Sequence, residues 1–295
     1  MLFKGLGTAL VTPFEEDGSV DFASLEKLVD NQLKGGVDAL IVCGTTGEPP
    51  TLTDSEKSQV VRFVARQVNG RIPVIAGTGS NCTATAAENS RRAEDMGADG
   101  VLVVTPYYNK CTQGGLVEHY RAVASATSLP VIAYNVPGRT GVNLLPSTAA
   151  RLTEVKGIVG IKEASGNITQ VIETSKAIEG SDITLYSGDD AAALPIFAVG
   201  GKGLISVASN AVPAAIKELT DACLAEDYAT ARGLQFRFQK LFELMFCEVN
   251  PIPIKAACAM LGLCKPCMRL PLTPATPAST ALIREEMKAL GFIKE

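Results

Sequence analysis

"GIVGIKEASGN" occupies residues 157–167, and its reading decides the fold. Ile158, Val159 and Ile161 have the composition of a strand covered on both faces, as in parallel sheets. Yet Lys162 closes the run, just before Glu163-Ala164-Ser165-Gly166 turns the chain. A charged amine in such a place is costly unless a partner compensates it or it loses its proton. Three readings are open for Lys162. It can snorkel to solvent, pair with an acid such as adjacent Glu163, or act as a reactive amine.

Working outward, short apolar runs of the same kind recur at 7–14, 39–43, 74–77, 100–105, 131–135, 184–187 and 204–207. With 158–163 they make eight strand candidates. Between them lie amphipathic segments such as 22–33, 54–68, 83–96, 116–126 and 168–178, each with a polar face. Thr53-Asp54 ahead of Glu56, and Asn81 through Thr83, read as helix starts. Strands recur every ~25–35 residues, the spacing of βαβ units. Eight such units without a Gly/Pro/Ser linker predict an α/β fold, a closed (β/α)8 TIM barrel over residues 1–226. Thr12-Pro13-Phe14 stands where an open dinucleotide-binding sheet would need glycines. From about 227 the chain becomes helical, with apolar periodicity over 235–246 and 254–261. A Pro-rich connection, 266–277, then leads to a last helix at 280–290. Residues 227–295 are therefore expected to form an added C-terminal helical layer.

Composition narrows the function. The 295 residues are 46% hydrophobic and 20% charged, enough for a large core. Net charge is −4 and no basic block occurs, which disfavours nucleic acid as a partner. The start, Met1-Leu2-Phe3-Lys4-Gly5, lacks a signal-peptide pattern, and no apolar run approaches the ~20 residues of a membrane span, so a cytoplasmic protein is expected. The eight cysteines are not spaced as a secreted disulfide scaffold. Cys43 and Cys258 read as buried small hydrophobes, and the lone Cys264-Lys265-Pro266-Cys267 as bystander thiols. A single histidine, His119 in a helical segment, cannot form a metal cluster, so neither metal nor other cofactor is expected.

Barrel chemistry sits at the C-terminal ends of the strands. There the sequence places Gly44-Thr45-Thr46-Gly47-Glu48, Thr105-Pro106-Tyr107-Tyr108-Asn109, Tyr134-Asn135-Val136-Pro137-Gly138-Arg139, Lys162, and Ser187-Gly188-Asp189-Asp190. Alternation groups Lys162 with Gly160 and Ile158; pointing that set inward leaves room for a ligand beside Gly160. Tyr134, alternating with Ile132, then meets Lys162 at the barrel mouth. A desolvated amine there has a depressed pKa and can attack a ketone to give a Schiff base, with Tyr134 passing protons. Thr45 could extend the relay, the Thr45-Thr46 amides could hold a carboxylate, and Arg139 could clamp a second one. Taken singly, Tyr134 reads as core, Thr45 and Thr46 as turn residues, and Arg139 as a solvated or interface arginine. Their shared location favours the chemical reading. Asp189-Asp190 at the seventh strand disfavours a phosphate site.

The set GTTGE (44–48), TPYYN (105–109), YNVPGRTG (134–141), GIKEASGN (160–167) and LYSGDD (185–190), with MRLPL at 268–272, resembles the dihydrodipicolinate synthase family over essentially the whole chain. That resemblance implies condensation of pyruvate with L-aspartate 4-semialdehyde to 4-hydroxy-tetrahydrodipicolinate, the first committed step towards lysine through diaminopimelate. It implies Lys162 as the Schiff-base lysine, Tyr134, Thr45 and Tyr108 as the proton relay, and Tyr108 donated by a neighbouring subunit. Thr45 and Thr46 match the pyruvate-carboxylate contacts, Arg139 the aldehyde's carboxylate clamp, and Gly188 and Ile205 backbone positions near the lysine. A homotetramer, a dimer of dimers, is implied. Relatives inhibited by lysine bind it through histidine and glutamate where this chain has Asp54, Lys57 and Thr85, while Asn81 and Tyr107 are kept. Weak or absent feedback is expected. The alternative within the superfamily is N-acetylneuraminate lyase or a 2-keto-3-deoxy sugar acid aldolase. From another class, a silent binding relative would keep the pocket without the chemistry.

Overall fold

A computed structural model describes residues 1–294. Eight parallel strands close into a barrel in sequence order: β1 (Gly5–Ala9), β2 (Ala39–Val42), β3 (Val74–Gly77), β4 (Gly100–Val104), β5 (Val131–Asn135), β6 (Ile158–Glu163), β7 (Thr184–Ser187) and β8 (Gly203–Ser206), with β8 paired back to β1. Helices on the outside alternate with the strands, as expected of a (β/α)8 TIM barrel. Helix Asp54–Val68 opens on the expected capping box, Thr53 with Glu56. The start expected at Asn81 through Thr83 is uncapped, because Cys82 takes the capping position of helix Thr83–Asp95 and makes no side-chain bond there.

Two apolar clusters divide the side chains. An outer one lies between strands and helices. An inner one fills the barrel, including Ile41, Ile75, Leu102, Ile132, Tyr134, Tyr186 and Ile205. Phe3 stacks on Tyr186 at 4.6 Å, and the Tyr186 hydroxyl donates to the Phe3 carbonyl. The first strand is shorter than 7–14: the sheet ends at Ala9, and Leu10 and Val11, equally apolar, belong to the outer cluster. Beyond β8, helix Pro213–Leu224 is followed by Tyr228–Leu244, Ile252–Met260 and Pro277–Ala289. The last three of these fall within 227–295, the stretch expected to be helical, whose final residue lies outside the described residues.

Two details of the inward set differ from expectation. The pairing of β5 with β6 shifts register, Val131 opposite Ile158 but Ile132 opposite Gly160, so Val159 is an extra residue. This bulge reverses the alternation below it. Ile158 joins the outer cluster and Val159 packs against the inner one, while Lys162 and Tyr134 stay paired as expected. The space beside Gly160 belongs to protein: a Cβ there would lie 2.8 Å from the Tyr186 ring.

Candidate active site

At the mouth of the barrel, β5 and β6 place Tyr134 directly opposite Lys162, and the amine lies 4.1 Å from the ring centroid. Lys162 is only 5% exposed. Burial pushes its pKa from 10.5 down to about 7; the Asp190 carboxylate opposes that shift and the Arg139 charge adds to it. Near neutrality a large fraction of the amine is therefore unprotonated and nucleophilic. Burial moves the Tyr134 phenol the other way, up to about 12, with Arg139 and the nearby Thr45 hydroxyl pulling more weakly down. Tyr134 therefore holds its proton at neutral pH and can lend it. Asp190 is itself pushed up to about 6 by burial, against hydrogen bonds from Ser206 Oγ and the Val207 and Ala208 amides.

Gly188 has a clear physical reason. Following β7, it passes so close to the lysine that a Cβ would sit 2.8 Å from Lys162 Cε and 2.9 Å from Ala164 Cβ. Thr45 and Thr46 open a single 3-10 turn, Thr45–Gly47, after β2. Gly47 and Glu48 donate back to the carbonyls of Gly44 and Thr45, while the Thr45 and Thr46 amides have no acceptor among the described residues. Two free amides in succession suit an anion. The turn is strained at both ends, with Cys43 at φ 55° and Glu48 at φ 54°. Glu48 is anchored by a fully buried ion pair: Lys255 Nζ stands 2.5 Å from Glu48 Oε1, off the angle of a good hydrogen bond, and donates to the Cys267 carbonyl at 2.9 Å. Lys255 also lies 4.1 Å from the Phe14 ring.

A cavity of about 110 Å³ joins Thr45, Thr46, Tyr134, Arg139, Lys162 and Gly188. It is well below the ~300–1,000 Å³ of sites for drug-sized ligands, so it suits a small acid. Five of the seven sequence-predicted positions other than Lys162 thus meet around the amine. The other two do not. The Ile205 side chain is fully buried in the inner cluster, and Val207, two residues on, lines the cavity. Tyr108 is 90% exposed, with φ 72°, on the loop after β4. Sequence reasoning missed Asn250 and Phe246, which reach the cavity from the helical layer. No periodicity or motif marks Asn250. Asp54, Lys57 and Arg92 line a separate cavity that extends to Thr45 and Tyr134, and Asp54 pairs with both cations. Cys258 and Cys43 are buried, as expected, and Cys264 and Cys267 are unbridged.

A desolvated amine facing a phenol at the top of a (β/α)8 barrel has the geometry of the lysine-dependent, Schiff-base-forming barrel lyases. Comparison with known proteins narrows this class. The family model described as the dihydrodipicolinate synthetase family matches residues 2–290. The 4-hydroxy-tetrahydrodipicolinate synthase of Alkaliphilus oremlandii is 52% identical over 292 residues, 99% of this chain and all of that protein. The crystal structure of dihydrodipicolinate synthase from Thermotoga maritima superposes with a TM-score of 0.97 at 44% identity, covering 99% of this chain and 100% of that one. The chloride-inhibited dihydrodipicolinate synthase of Acinetobacter baumannii, solved with pyruvate, gives 0.96 at 44% identity with the same coverage. The chain belongs to the dihydrodipicolinate synthetase family.

Proposed function

We propose that this enzyme condenses pyruvate with L-aspartate 4-semialdehyde through a Schiff base on Lys162, yielding 4-hydroxy-tetrahydrodipicolinate for lysine and diaminopimelate synthesis. The observation that carries the reading is the buried, near-neutral amine set against the Tyr134 phenol. Lys162 attacks the ketone carbon of pyruvate, and the carbinolamine loses water to an imine. Tyr134 supplies and recovers protons, with Thr45 behind it. The imine, once protonated, draws electrons from the methyl carbon; a proton leaves, and the resulting enamine adds to the aldehyde, whose oxygen takes up a proton. The amine of the second substrate then displaces Lys162 at the imine carbon, closing the ring and freeing the lysine. The free Thr45 and Thr46 amides hold the pyruvate carboxylate, and Arg139 takes that of the aldehyde. Gly188 leaves space for the lysine stem, and Ile205 contributes its main chain near the lysine. The relatives' names favour this over the sugar-acid aldolase alternative.

Tyr108 cannot serve its own protomer from so exposed a position, which supports its donation to a neighbouring site. We read the assembly as a homotetramer, a dimer of dimers, acting in the cytoplasm; among the described residues no helix is long and apolar enough to cross a membrane. Residues 1–226 are the catalytic barrel and 227–295 an extension that completes the cavity through Phe246 and Asn250. Lys57 and Arg92 around Asp54 disfavour an added ammonium, which supports weak or absent inhibition by lysine. A coupled assay tests the function: with pyruvate present, turnover is expected with L-aspartate 4-semialdehyde, and cleavage of N-acetylneuraminate is not. The opposite pattern would transfer the enzyme to the sugar-acid lyases.

A further inference from the structure

Two buried thiols that the reaction does not use, Cys258 and Cys264, lie against each other. Cys258 sits near the end of helix Ile252–Met260. Beyond the helix Gly262, at φ 70°, turns the chain back. Its amide donates to the Ala259 carbonyl and that of Leu263 to the Cys258 carbonyl, both at 3.0 Å. This closure lays Cys264, 8% exposed, over the last helical turn, where the Cys258 thiol donates a hydrogen bond to its sulfur. That bond, helped by the Lys255 charge, holds the Cys264 thiol below its ordinary 9.0 although burial opposes it. The same bond, with burial, keeps the Cys258 thiol well above that value. One sulfur therefore has thiolate character and the other keeps its proton, the division of labour of an attacking and a resolving cysteine.

Lys255 stands one helical turn before Cys258 and connects this pair to the catalytic turn. Its amine holds Glu48 on one side and donates to the Cys267 carbonyl on the other. Glu48 in turn ends the Thr45–Gly47 turn. We propose that Cys258 and Cys264 form a dithiol that a hydroperoxide oxidises to a disulfide, and that its closure loosens the catalytic turn through Cys267, Lys255 and Glu48. The second half rests on the reading of that turn as the seat of the pyruvate carboxylate. The Cys264 thiolate attacks one oxygen of the peroxide and the O–O bond breaks. The departing hydroxide takes the proton that Cys264 gave up and leaves as water. The Cys258 sulfur then attacks the sulfenic acid on Cys264; the S–S bond forms as the S–O bond breaks, and hydroxide leaves with the Cys258 proton as a second water. Two thiols and one hydrogen peroxide give one disulfide and two waters, the sulfurs losing the two electrons that the peroxide oxygens gain. The sulfurs must close from hydrogen-bond contact to about 2.05 Å. Cys258 is fixed in its helix, so the segment 261–267 moves, and with it the carbonyl that holds Lys255.

Peptide mapping after hydrogen peroxide treatment, alkylation and digestion without reductant provides the test. Cleavage after Lys255 and Arg269 leaves Cys258, Cys264 and Cys267 on one peptide, 256–269. It should lose two hydrogens and carry one alkyl group, on Cys267. Once the peroxide is removed, the pyruvate KM should be raised roughly three- to tenfold, the worth of one ordinary hydrogen bond, and should return after dithiothreitol. Cys264→Ala should keep its pyruvate KM through the same treatment, which separates the pair from the exposed Cys82 and Cys247. The proposal is overturned if peptide 256–269 stays fully alkylated while Cys82 and Cys247 oxidise. It is equally overturned if the alkyl group is found on Cys258, the mark of a Cys264–Cys267 link. A disulfide at Cys258 and Cys264 with an unchanged KM, or a rise that persists in Cys264→Ala, would overturn the coupling to the catalytic turn. Reduced enzyme that does not turn over pyruvate at all would instead sink the Schiff-base reading, and the peptide map would still decide the dithiol.

Discussion

Replacing Lys162 by methionine should make the protein more stable, by an amount that depends on pH. Methionine fills a similar volume without a charge and adapts to its surroundings. The amine's pKa falls from 10.5 to about 7 on folding. At about 1.4 kcal/mol per unit, the full shift corresponds to roughly 5 kcal/mol, and relaxation of the site lowers this to about 2–5 kcal/mol. Below pH 7 the amine is charged in both folded and unfolded chains, so the folded state bears the whole penalty. Between pH 7 and 10.5 the unfolded chain still holds a proton that the folded one has released, and wild-type stability rises. Above 10.5 both are neutral and the penalty is gone. Thermal midpoints of wild type and Lys162→Met, at equal protomer concentration, should therefore differ most at pH 6 and converge by pH 10. A variant no more stable at pH 6, or a gap that ignores pH, would refute a desolvated, near-neutral lysine.

Other parts of the account are open to equally direct tests. Lys255→Met should destabilise by about 3–5 kcal/mol in denaturant unfolding, because Glu48 is left charged and buried, and adding Glu48→Gln should recover part of the loss. Gly188→Ala should lower kcat/KM in steady-state kinetics by roughly ten- to a hundredfold through displacement of the lysine stem, and should also lower the thermal midpoint through the contact with Ala164 Cβ. Tyr108→Phe and Lys162→Ala should each be poorly active alone, yet hybrids of the two should regain activity, since one interface then combines an intact lysine with an intact donated tyrosine. Hybrids as inactive as their parents would remove Tyr108 from the neighbour's site.

Most of the barrel was legible because its physics is local. A strand covered on both faces must be apolar throughout, and the turn residues that end it are conspicuous, so β3, β5, β6 and β7 have the expected bounds. β1 misleads for the same reason: Leu10 and Val11 are as apolar as the strand, though they pack outside it. Alternation placed Lys162 and Tyr134 correctly, but the bulge at Val159 reversed Ile158, and no residue type there announces a bulge. Gly160 invited a ligand until Tyr186, from another strand, filled the space. The Glu48–Lys255 pair and the bond from Asn250 to Thr46 join parts of the chain more than two hundred residues apart, where spacing carries no signal.

The central claim is a covalent link between Lys162 and pyruvate. Intact-protein and peptide mass spectrometry after borohydride reduction with pyruvate tests it most directly. A single reduced pyruvate adduct per protomer on the peptide carrying Lys162, absent in Lys162→Ala, is predicted. An unmodified Lys162 peptide in enzyme that still turns over would contradict it.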